Sequence, residues 1–337
     1  MPSTPIRDIF STVLQMAGMP GAASDRSGQA PPRIVLPLLA AYGALAPSPY
    51  NTQPWEFRVT AEALEICLDA GRGAPLGAAA HREPVIGCGA ALFNTRVALR
   101  HFGYRDLVAL FPDALDERRI ARIEAGESRH ESAYNRALFH AMPRRHTIRA
   151  RGQAFETRDV PSSTLEELIA AARASGAWLR IVDAPSDRGA LADLVFEAGE
   201  ESSAAAGILG SEDGLDLPVD APVPEDAERV AHAIAVAEAR RAGRLLRQAP
   251  TVAVLGTAAD DPTAWVAAGE ALEHVLLRAA THGIFAAYAN QPLRVSDTRP
   301  WVKAVARQRG EPHVILALGF APAPDGPPRR PTSELLG

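Results

Sequence analysis

The chain has 337 residues, of which 47% are hydrophobic and 22% are charged, and its formal net charge is −5. This composition is typical of a soluble globular protein, and the negative charge argues against nucleic acid as a partner. The apolar runs are too short to span a membrane, and the N-terminal stretch is too interrupted by charge and proline for a signal peptide. Cys67 and Cys88 form neither a disulfide framework nor a metal-ligand spacing, so we expect a cytoplasmic protein without a metal site.

The first half of the chain predicts a helix, two strands, a long helix and a further strand. A helical run, PLLAAYGALA (37–46), leads into the proline-rich stretch APSPYNTQPW (46–55). A long helix follows, with a G-x-A-L motif at Gly89 and a closing glycine at Gly103. The strand candidates, of which the first two form a hairpin, are FRV (57–59), LEICLD (64–69) and LVALFPD (107–113).

The second half repeats this order. Gly269 opens another G-x-A-L motif, and Gly283 closes its helix at the same offset, where a helix C-terminus favours positive φ. The strand candidates here are WLRIVDA (178–184), TVAVLGTA (251–258) and HVILALGF (313–320). Two alanine-rich helices that end in glycine also resemble each other by chance, which is the alternative to a true repeat. The pattern of both halves predicts an α+β fold.

An acidic insertion (197–243) interrupts the second half. Its glycines, prolines and small residues predict an exposed loop over about 207–226, followed by a helix from about Pro224. Such an insertion is either a lid over a site or a surface loop without a function.

The stretch APSPYNTQPW favours a rigid loop, because Pro47 and Pro49 restrict the backbone. Ser48, Asn51 and Gln53 offer hydrogen-bond donors and acceptors without charge, which suits a planar heterocycle. The alternative is a loop that only ends a helix and is anchored by Trp55.

Two basic stretches are candidates for binding phosphate. In MPRRHTIRARGQAF (142–155), an extended backbone would point Arg145, Thr147 and Arg149 the same way, with His146 between them. Guanidinium groups match phosphate oxygens. The second stretch, GPPRRPTSELL (326–336), contains the pair Arg329 and Arg330. Because all but one of the 35 basic residues are arginine, a solvated linker and an ordinary surface loop are the alternatives.

Together these stretches resemble the nitroreductase-like FMN flavoprotein superfamily, and most closely its single-chain tandem branch, the Acg family. RHTIR (145–149) is similar to the family's Arg-x-Ser-x-Arg/Lys motif, and PSPYNTQPW (47–55) to its Pro-Ser-x-x-Asn-x-Gln-Pro-Trp loop. HGIFAAYANQPL (282–293) is similar to its helix-to-loop turn, and PRRP (328–331) to its basic tail. The resemblance covers roughly 40–336.

The resemblance implies one bound FMN and a set of residues that hold it. The phosphate would be bound by Arg145, Thr147, Arg329 and Arg330, with His146 beside them. Arg149 would lie near the N1–O2 edge of the flavin. Pro47, Ser48, Asn51 and Gln53 would contact the ring or the ribityl chain. A turn would present backbone groups toward flavin N5, and its residues are Ala286, Ala287, Tyr288 and Ala289.

The order of the motifs departs from that of ordinary family members, which are short chains that pair as homodimers. Here the amide-rich loop lies in the first half (1–143) and the phosphate motif opens the second half (144–337). A second loop would be expected near 172–178, where the chain reads AARASGAW (171–178). We therefore predict a nitroreductase-like fold whose two tandem halves form an intramolecular pseudo-dimer with one complete flavin site. The sequence leaves further oligomerisation open.

The resemblance implies an FMN-dependent oxidoreductase that is reduced by NADH or NADPH and then reduces a small organic acceptor. The chain contains no G-x-G-x-x-G fingerprint, so we predict no separate dinucleotide-binding domain. Two alternatives remain open: a protein that stores FMN under a lid with little turnover, and a flavin-dependent dehydrogenase of a biosynthetic intermediate.

Overall fold

The computed structural model describes residues 35–73, 81–148, 154–201, 227–322 and 329–336, and its strands form two antiparallel sheets. The first sheet has the spatial order β1-β2-β4-β3 and consists of β1 (Trp55–Val59), β2 (Ala63–Leu68), β3 (Tyr104–Leu110) and β4 (Arg119–Ser128). The second has the equivalent order β5-β6-β8-β7 and consists of β5 (Trp178–Ile181), β6 (Thr251–Thr257), β7 (Ile284–Tyr288) and β8 (Glu311–Phe320). The predicted hairpin is confirmed as β1 and β2, in which Trp55 pairs with Leu68.

The helices of the two halves correspond in part, since one long helix links the second strand to the third in each half. They are α1 (Val35–Gly43), α2 (Arg82–His101), α3 (Ala133–Ala141), α4 (Ser162–Ala174), α5 (Pro185–Glu201), α6 (Ala227–Gln248), α7 (Pro262–Thr281) and α8 (Arg299–Ala306). Single helical turns also lie at Ala70–Gly73 and Thr332–Leu335. Helix α2 links β2 to β3, and α7 links β6 to β7. The shared topology confirms the predicted α+β pattern used twice.

Helices α2 and α7 cross at the two glycines that the repeat predicted. Gly89 and Gly269 are each the eighth residue of a 20-residue helix. A Cβ atom on Gly269 would lie 2.0 Å from the Ile86 carbonyl oxygen, and one on Gly89 would lie 2.3 Å from that of Val266. Backbone at these distances leaves no room for a side chain. The repeated motif is therefore the contact surface between the halves, and not a chance likeness of two helices.

The ends of these helices follow from the local sequence. Asp261 caps α7 by accepting a hydrogen bond from the Ala264 amide at 2.8 Å, and Pro262 takes the first helical position. At the other end Gly283 has a φ of 73°, and Gly103 after α2 has a φ of 90°. Both values lie in the left-handed region that glycine tolerates best, as the sequence predicted.

Two strands differ from the sequence-based expectation. Strand β4 was not predicted at all, because its charged residues obscure the alternation. The predicted turn at 286–289 is wrong as a conformation, since Ala286, Ala287 and Tyr288 belong to β7 and Ala289 directly follows it. The apolar run that starts at Ile284 pairs with β8 along its whole length, and this pairing extends the backbone there.

The insertion consists partly of long helices. Its first residues end α5, and its last residues belong to α6, which begins at Ala227, close to the predicted start near Pro224. The two helices pack on one face of the second sheet through buried Leu191, Val195 and Leu246. The intervening residues 202–226 lie outside the described residues.

The C-terminal segment of the chain returns to the first half. Leu336 forms a parallel bridge with Phe57 of β1, at the edge of the first sheet. Phe57 and Trp55 are fully buried in the core of that half. Residues 329–336 thus connect the second half to the strand that follows the proline-rich loop. None of the helices in the described part of the chain is both long and apolar enough to cross a membrane.

Candidate functional site

The proline-rich loop has an unusual backbone. After α1 the chain makes one 3-10 turn at Pro49–Asn51, and Tyr50, Asn51 and Gln53 have φ values of 49°, 57° and 49°. Left-handed backbone at a non-glycine residue costs roughly 1–3 kcal/mol and is concentrated at functional sites. The Ser48 hydroxyl accepts a hydrogen bond from the Gln53 amide at 2.9 Å and closes the loop on itself.

The loop is also anchored to the core, as the alternative interpretation expected. Trp55 is fully buried, and Pro47 is buried at the other end of the loop. The Gln53 side chain is 3% exposed and accepts a hydrogen bond from the Arg330 amide at 3.0 Å. These contacts with the core explain how the left-handed backbone conformation of the loop is held in place, but they do not explain why the loop adopts it.

Arg329 and Arg330 contact this loop in different ways. Arg329 donates to the carbonyl oxygens of Leu45 at 3.1 Å and Ala46 at 3.3 Å, and also to the Asn51 side-chain oxygen. The guanidinium of Arg330 instead donates to the carbonyl oxygens of Gln53, Trp55 and Glu334, at 3.4, 3.1 and 2.6 Å. The two neighbouring guanidinium groups therefore have different surroundings, although the sequence predicted one task for both.

Arg145 joins Arg329 at the end of α1. Its side chain is 4% exposed and donates to the Leu45 carbonyl oxygen at 2.8 Å. Two guanidinium groups from separate motifs thus converge on one carbonyl oxygen. The next residue, His146, is half-buried. Thr147 forms a parallel bridge with Ala286 of β7, and the Ile148 amide donates a hydrogen bond to the Ala286 carbonyl oxygen at 2.8 Å. The predicted residue Arg149 lies outside the described residues.

Residues 286–289, which the sequence predicted as a turn, lie beside this segment. Ala286, Ala287 and Ala289 are each about 2% exposed or less. The Ala289 amide donates to Ile315 at 3.1 Å, so this amide is already used by the sheet. Burial raises the pKa of the Tyr288 hydroxyl, which the Thr147 side chain approaches.

Sequence reasoning missed Glu273 and Asn94. Glu273 on α7 is fully buried, and its Oε1 atom lies 3.3 Å from Arg145 Nε. Burial raises the pKa of the Glu273 carboxyl to about 7, while Arg145, the Asn94 amide and Arg329 lower it. Asn94 on α2 is also fully buried. The available signal was one acidic residue among the apolar positions of a helix, which alone does not identify a site.

A second contact between the halves fixes Tyr50. The guanidinium of Arg294 lies 4.7 Å from the Tyr50 ring, and Arg294 also donates to the Tyr50 hydroxyl. Glu83 on α2 binds Arg294 through two hydrogen bonds of 2.8 and 2.9 Å. Burial raises the pKa of the Tyr50 hydroxyl, Arg294 lowers it, and Glu238 on α6 raises it. The charge of Glu238 on helix α6 of the insertion therefore acts on the loop.

The equivalent position on the other side of the α2–α7 crossing has different chemistry. Phe93 occupies the position equivalent to Glu273, and His274 the position equivalent to Asn94, and their rings stack at 4.7 Å. The His274 ring nitrogens contact the Ser175 and Tyr134 hydroxyls at 3.0 and 2.7 Å, and burial lowers the pKa of His274 to about 4. These side chains line a cavity of about 240 Å³. The described residues contain no cluster of side chains suited to a metal ion.

The chain is similar to several known proteins. It is 31% identical over 305 residues to the Mycobacterium tuberculosis protein named "Putative NAD(P)H nitroreductase Rv3131", covering 86% of this chain and 88% of the relative. It is 26% identical over 323 residues to "Putative NAD(P)H nitroreductase acg" of the same species, covering 86% of this chain and 92% of that one. No model of a protein family matches the chain.

Solved structures also match parts of the chain. A BluB-like flavoprotein from Clostridium difficile 630 is 18% identical with a TM-score of 0.42, covering 59% of this chain and 96% of that one. The FMN-dependent nitroreductase NfnB from Mycobacterium smegmatis, solved in complex with NADPH, is 16% identical with a TM-score of 0.37, covering 57% of this chain and 95% of that one.

Proposed function

The chain belongs to the NAD(P)H nitroreductase family, and from this premise we propose that it is an FMN-dependent oxidoreductase that takes electrons from NADH or NADPH. The observation that carries the proposal is the convergence of Arg145 and Arg329 on the Leu45 carbonyl, beside a strained loop rich in neutral polar groups. This arrangement offers a cationic end for a phosphate and an uncharged wall for a heterocycle.

The donors present fit the phosphate end of FMN. Arg145 Nε is buried and, among the described residues, it lies 3.3 Å from the Glu273 carboxylate as an ion pair without the geometry of a good hydrogen bond. A buried donor of this kind is costly unless a ligand satisfies it. Arg145, Arg329 and the Thr147 hydroxyl are therefore assigned to the phosphate. Arg330 is assigned to anchoring the tail, because its guanidinium is held by backbone carbonyl oxygens.

FMN supplies two-electron redox chemistry at its N5 atom. The protein's own part is to bind, orient and shield. The Asn51 side chain and the loop around Ser48 and Gln53 would line the ring, and the buried strand β7 would close one side of the site. Arg149 is proposed to stabilise the negative charge of the reduced ring, so the flavin midpoint potential should fall in an Arg149→Ala variant.

The spectrum of the purified protein tests the proposal. We expect flavin absorption, FMN as the flavin that heat releases, and rapid anaerobic bleaching by NADH or NADPH. An Arg145→Ala variant should lose the flavin, whereas Arg105→Ala, which changes an exposed arginine on β3, should retain it. Release of FAD, or a protein that binds no flavin when FMN is added, would contradict the proposal.

A second candidate function is storage of FMN under a cover, and the electrostatic effect of Glu238 on α6 upon Tyr50 of the loop favours it. Glu238 acts on Tyr50, so the insertion (197–243) passes close to the proposed ring site. Flavin that stays oxidised with both nicotinamides would support storage. Replacing residues 205–223 with a short glycine-serine linker should then increase quenching of flavin fluorescence by iodide. Unchanged quenching in a folded variant would exclude the cover.

A further inference from the structure

Glu273 places a negative charge where the proposed function requires a phosphate to bind. Four groups from different parts of the chain face its carboxylate. They are Arg145 in the segment that follows α3, Asn94 on α2, Tyr288 on β7 and Arg329 in the C-terminal segment. Among the described residues neither carboxylate oxygen lies in a hydrogen bond of good geometry. The position equivalent to Glu273 in α2 is Phe93, so the crossing of the two helices can form with an apolar residue there.

The charges of the cluster balance only if a proton is added. Arg145 and Arg329 contribute two positive charges and Glu273 contributes one negative charge. A bound phosphate monoester brings nearly two more negative charges at neutral pH, which leaves an excess negative charge inside the protein. An uncompensated buried charge is expensive, and buried groups change their protonation state to avoid it.

We propose that Glu273 is a positioning residue for Arg145 that takes up one proton when a phosphate group binds between Arg145 and Arg329, an inference that rests on the proposed function. In the ligand-free protein the ionised carboxylate pairs with Arg145 Nε at 3.3 Å and holds the guanidinium against Leu45. When the phosphate arrives, a proton from solvent forms an O–H bond on the carboxyl group. The neutral acid keeps an oxygen beside Arg145 and no longer repels the phosphate.

The sign of the pH dependence follows from this exchange. Burial already raises the pKa of Glu273 to about 7, and the phosphate raises it further in the complex. Above pH 7 binding must draw a proton from solution, so FMN affinity should fall with rising pH, by up to tenfold per pH unit. The phosphate itself titrates near pH 6, below this window. Tyr288 stays neutral because its pKa is raised.

The test is FMN binding to flavin-free full-length protein between pH 7.2 and 8.7, by fluorescence quenching and by calorimetry in two buffers of different ionisation enthalpy. We expect the wild type to bind roughly tenfold more weakly at the upper pH and to take up about one proton. Glu273→Gln should bind FMN with little pH dependence and no proton uptake. Glu270→Gln, which changes a half-buried carboxyl that lies on the same helix as Glu273 and pairs with Arg96, should behave as the wild type does. Riboflavin, which has no phosphate, should show no pH dependence.

FMN binding without proton uptake in the wild type would overturn the role of Glu273 and leave the proposed function intact. The role of Glu273 is overturned in the same way if Glu273→Gln keeps the wild-type pH dependence. Failure of the wild type to bind FMN, riboflavin and inorganic phosphate at any pH would overturn both.

Discussion

The two arginines of the tail are neighbours in sequence and have separate tasks. Arg329 donates to the carbonyl oxygens of Leu45 and Ala46, and Arg145 also donates to that of Leu45. Arg330 holds the tail to the backbone on both sides of Pro54. A charge-assisted hydrogen bond to a phosphate contributes roughly 1.5–3 kcal/mol to the binding of a ligand that carries a phosphate. A residue that anchors the loop instead supports the binding of every ligand that contacts the loop, with or without a phosphate.

Substituting these arginines should therefore affect two flavins differently. In Arg329→Ala we expect FMN affinity to fall by about tenfold to a hundredfold, with a smaller effect on riboflavin, because the lost partner is the phosphate. In Arg330→Ala we expect both affinities to fall by similar factors. Fluorescence titration with each flavin measures the ratio. Equal FMN and riboflavin losses in Arg329→Ala would show that this residue does not bind the phosphate.

The sequence predicted these arginines and missed Glu273 and Asn94 for a physical reason. Arg329, Asn51 and Gln53 lie in short motifs with turn-forming or basic neighbours, so their residue types already restrict what they do. Glu273 and Asn94 lie on different helices outside any short motif, and only the crossing of α2 and α7 brings them together. Nothing in the sequence of either helix indicates which residue of the other helix will lie beside it.

At the scale of elements, the α2–α7 crossing depends on the absence of side chains at Gly89 and Gly269. The nearest backbone oxygen would be 2.0 Å from a Cβ on Gly269. Glu273, which pairs with Arg145, and the opposite Phe93–His274 pair lie on these helices. The spacing of the helices therefore sets the geometry of the candidate site.

A Gly269→Ala substitution should push the helices apart. Overpacking of this kind costs about 1–3 kcal/mol, so we expect the unfolding temperature to fall by roughly 5 °C and flavin affinity to fall with it. Gly189→Ala in α5 is the control, because nothing lies within 4 Å of its added Cβ and alanine favours helix. A thermal melt in which Gly269→Ala unfolds no earlier than Gly189→Ala would argue against the crossing.

Elements differ in how well the sequence predicted them. Strands β1, β2, β6 and β8 were found because apolar residues alternate or run together between turn signals. Strand β4 was missed because Arg119 and Arg122 interrupt its alternation, and both pair with Glu65 across the sheet. Strand β7 was mistaken for a turn because it is short and alanine-rich, and its extended backbone depends on pairing with β8.

For the whole molecule, the candidate site is shared between the halves. The loop comes from the first half, while Arg145, Glu273 and β7 come from the second. The equivalent position across the α2–α7 crossing has Phe93 in place of Glu273 and the hydroxyls of Ser175 and Tyr134 around His274. The cavity there is also lined by Arg96, Arg100 and Arg129, but Arg96 and Arg100 are both paired with the Asp106 carboxylate, which already neutralises part of their charge.

We therefore expect one FMN per chain at saturation, measured by absorbance of flavin against protein concentration. Asn51→Ala and Arg145→Ala lie in different halves and should each impair that same flavin. Titration to two flavins per chain, or loss of flavin in only one of these variants, would contradict a site shared by both halves. An exposed change such as Arg105→Ala should leave the stoichiometry at one.

The contact between Arg329 and Asn51 spans 278 positions of the chain. A ribosome that adds about 5–20 residues per second needs on the order of half a minute to make the segment between them. During that time a nascent chain has already exposed the strained loop but does not yet contain the arginine that holds it. The cofactor site is consequently completed late in synthesis, and loading of the cofactor must follow the emergence of the tail.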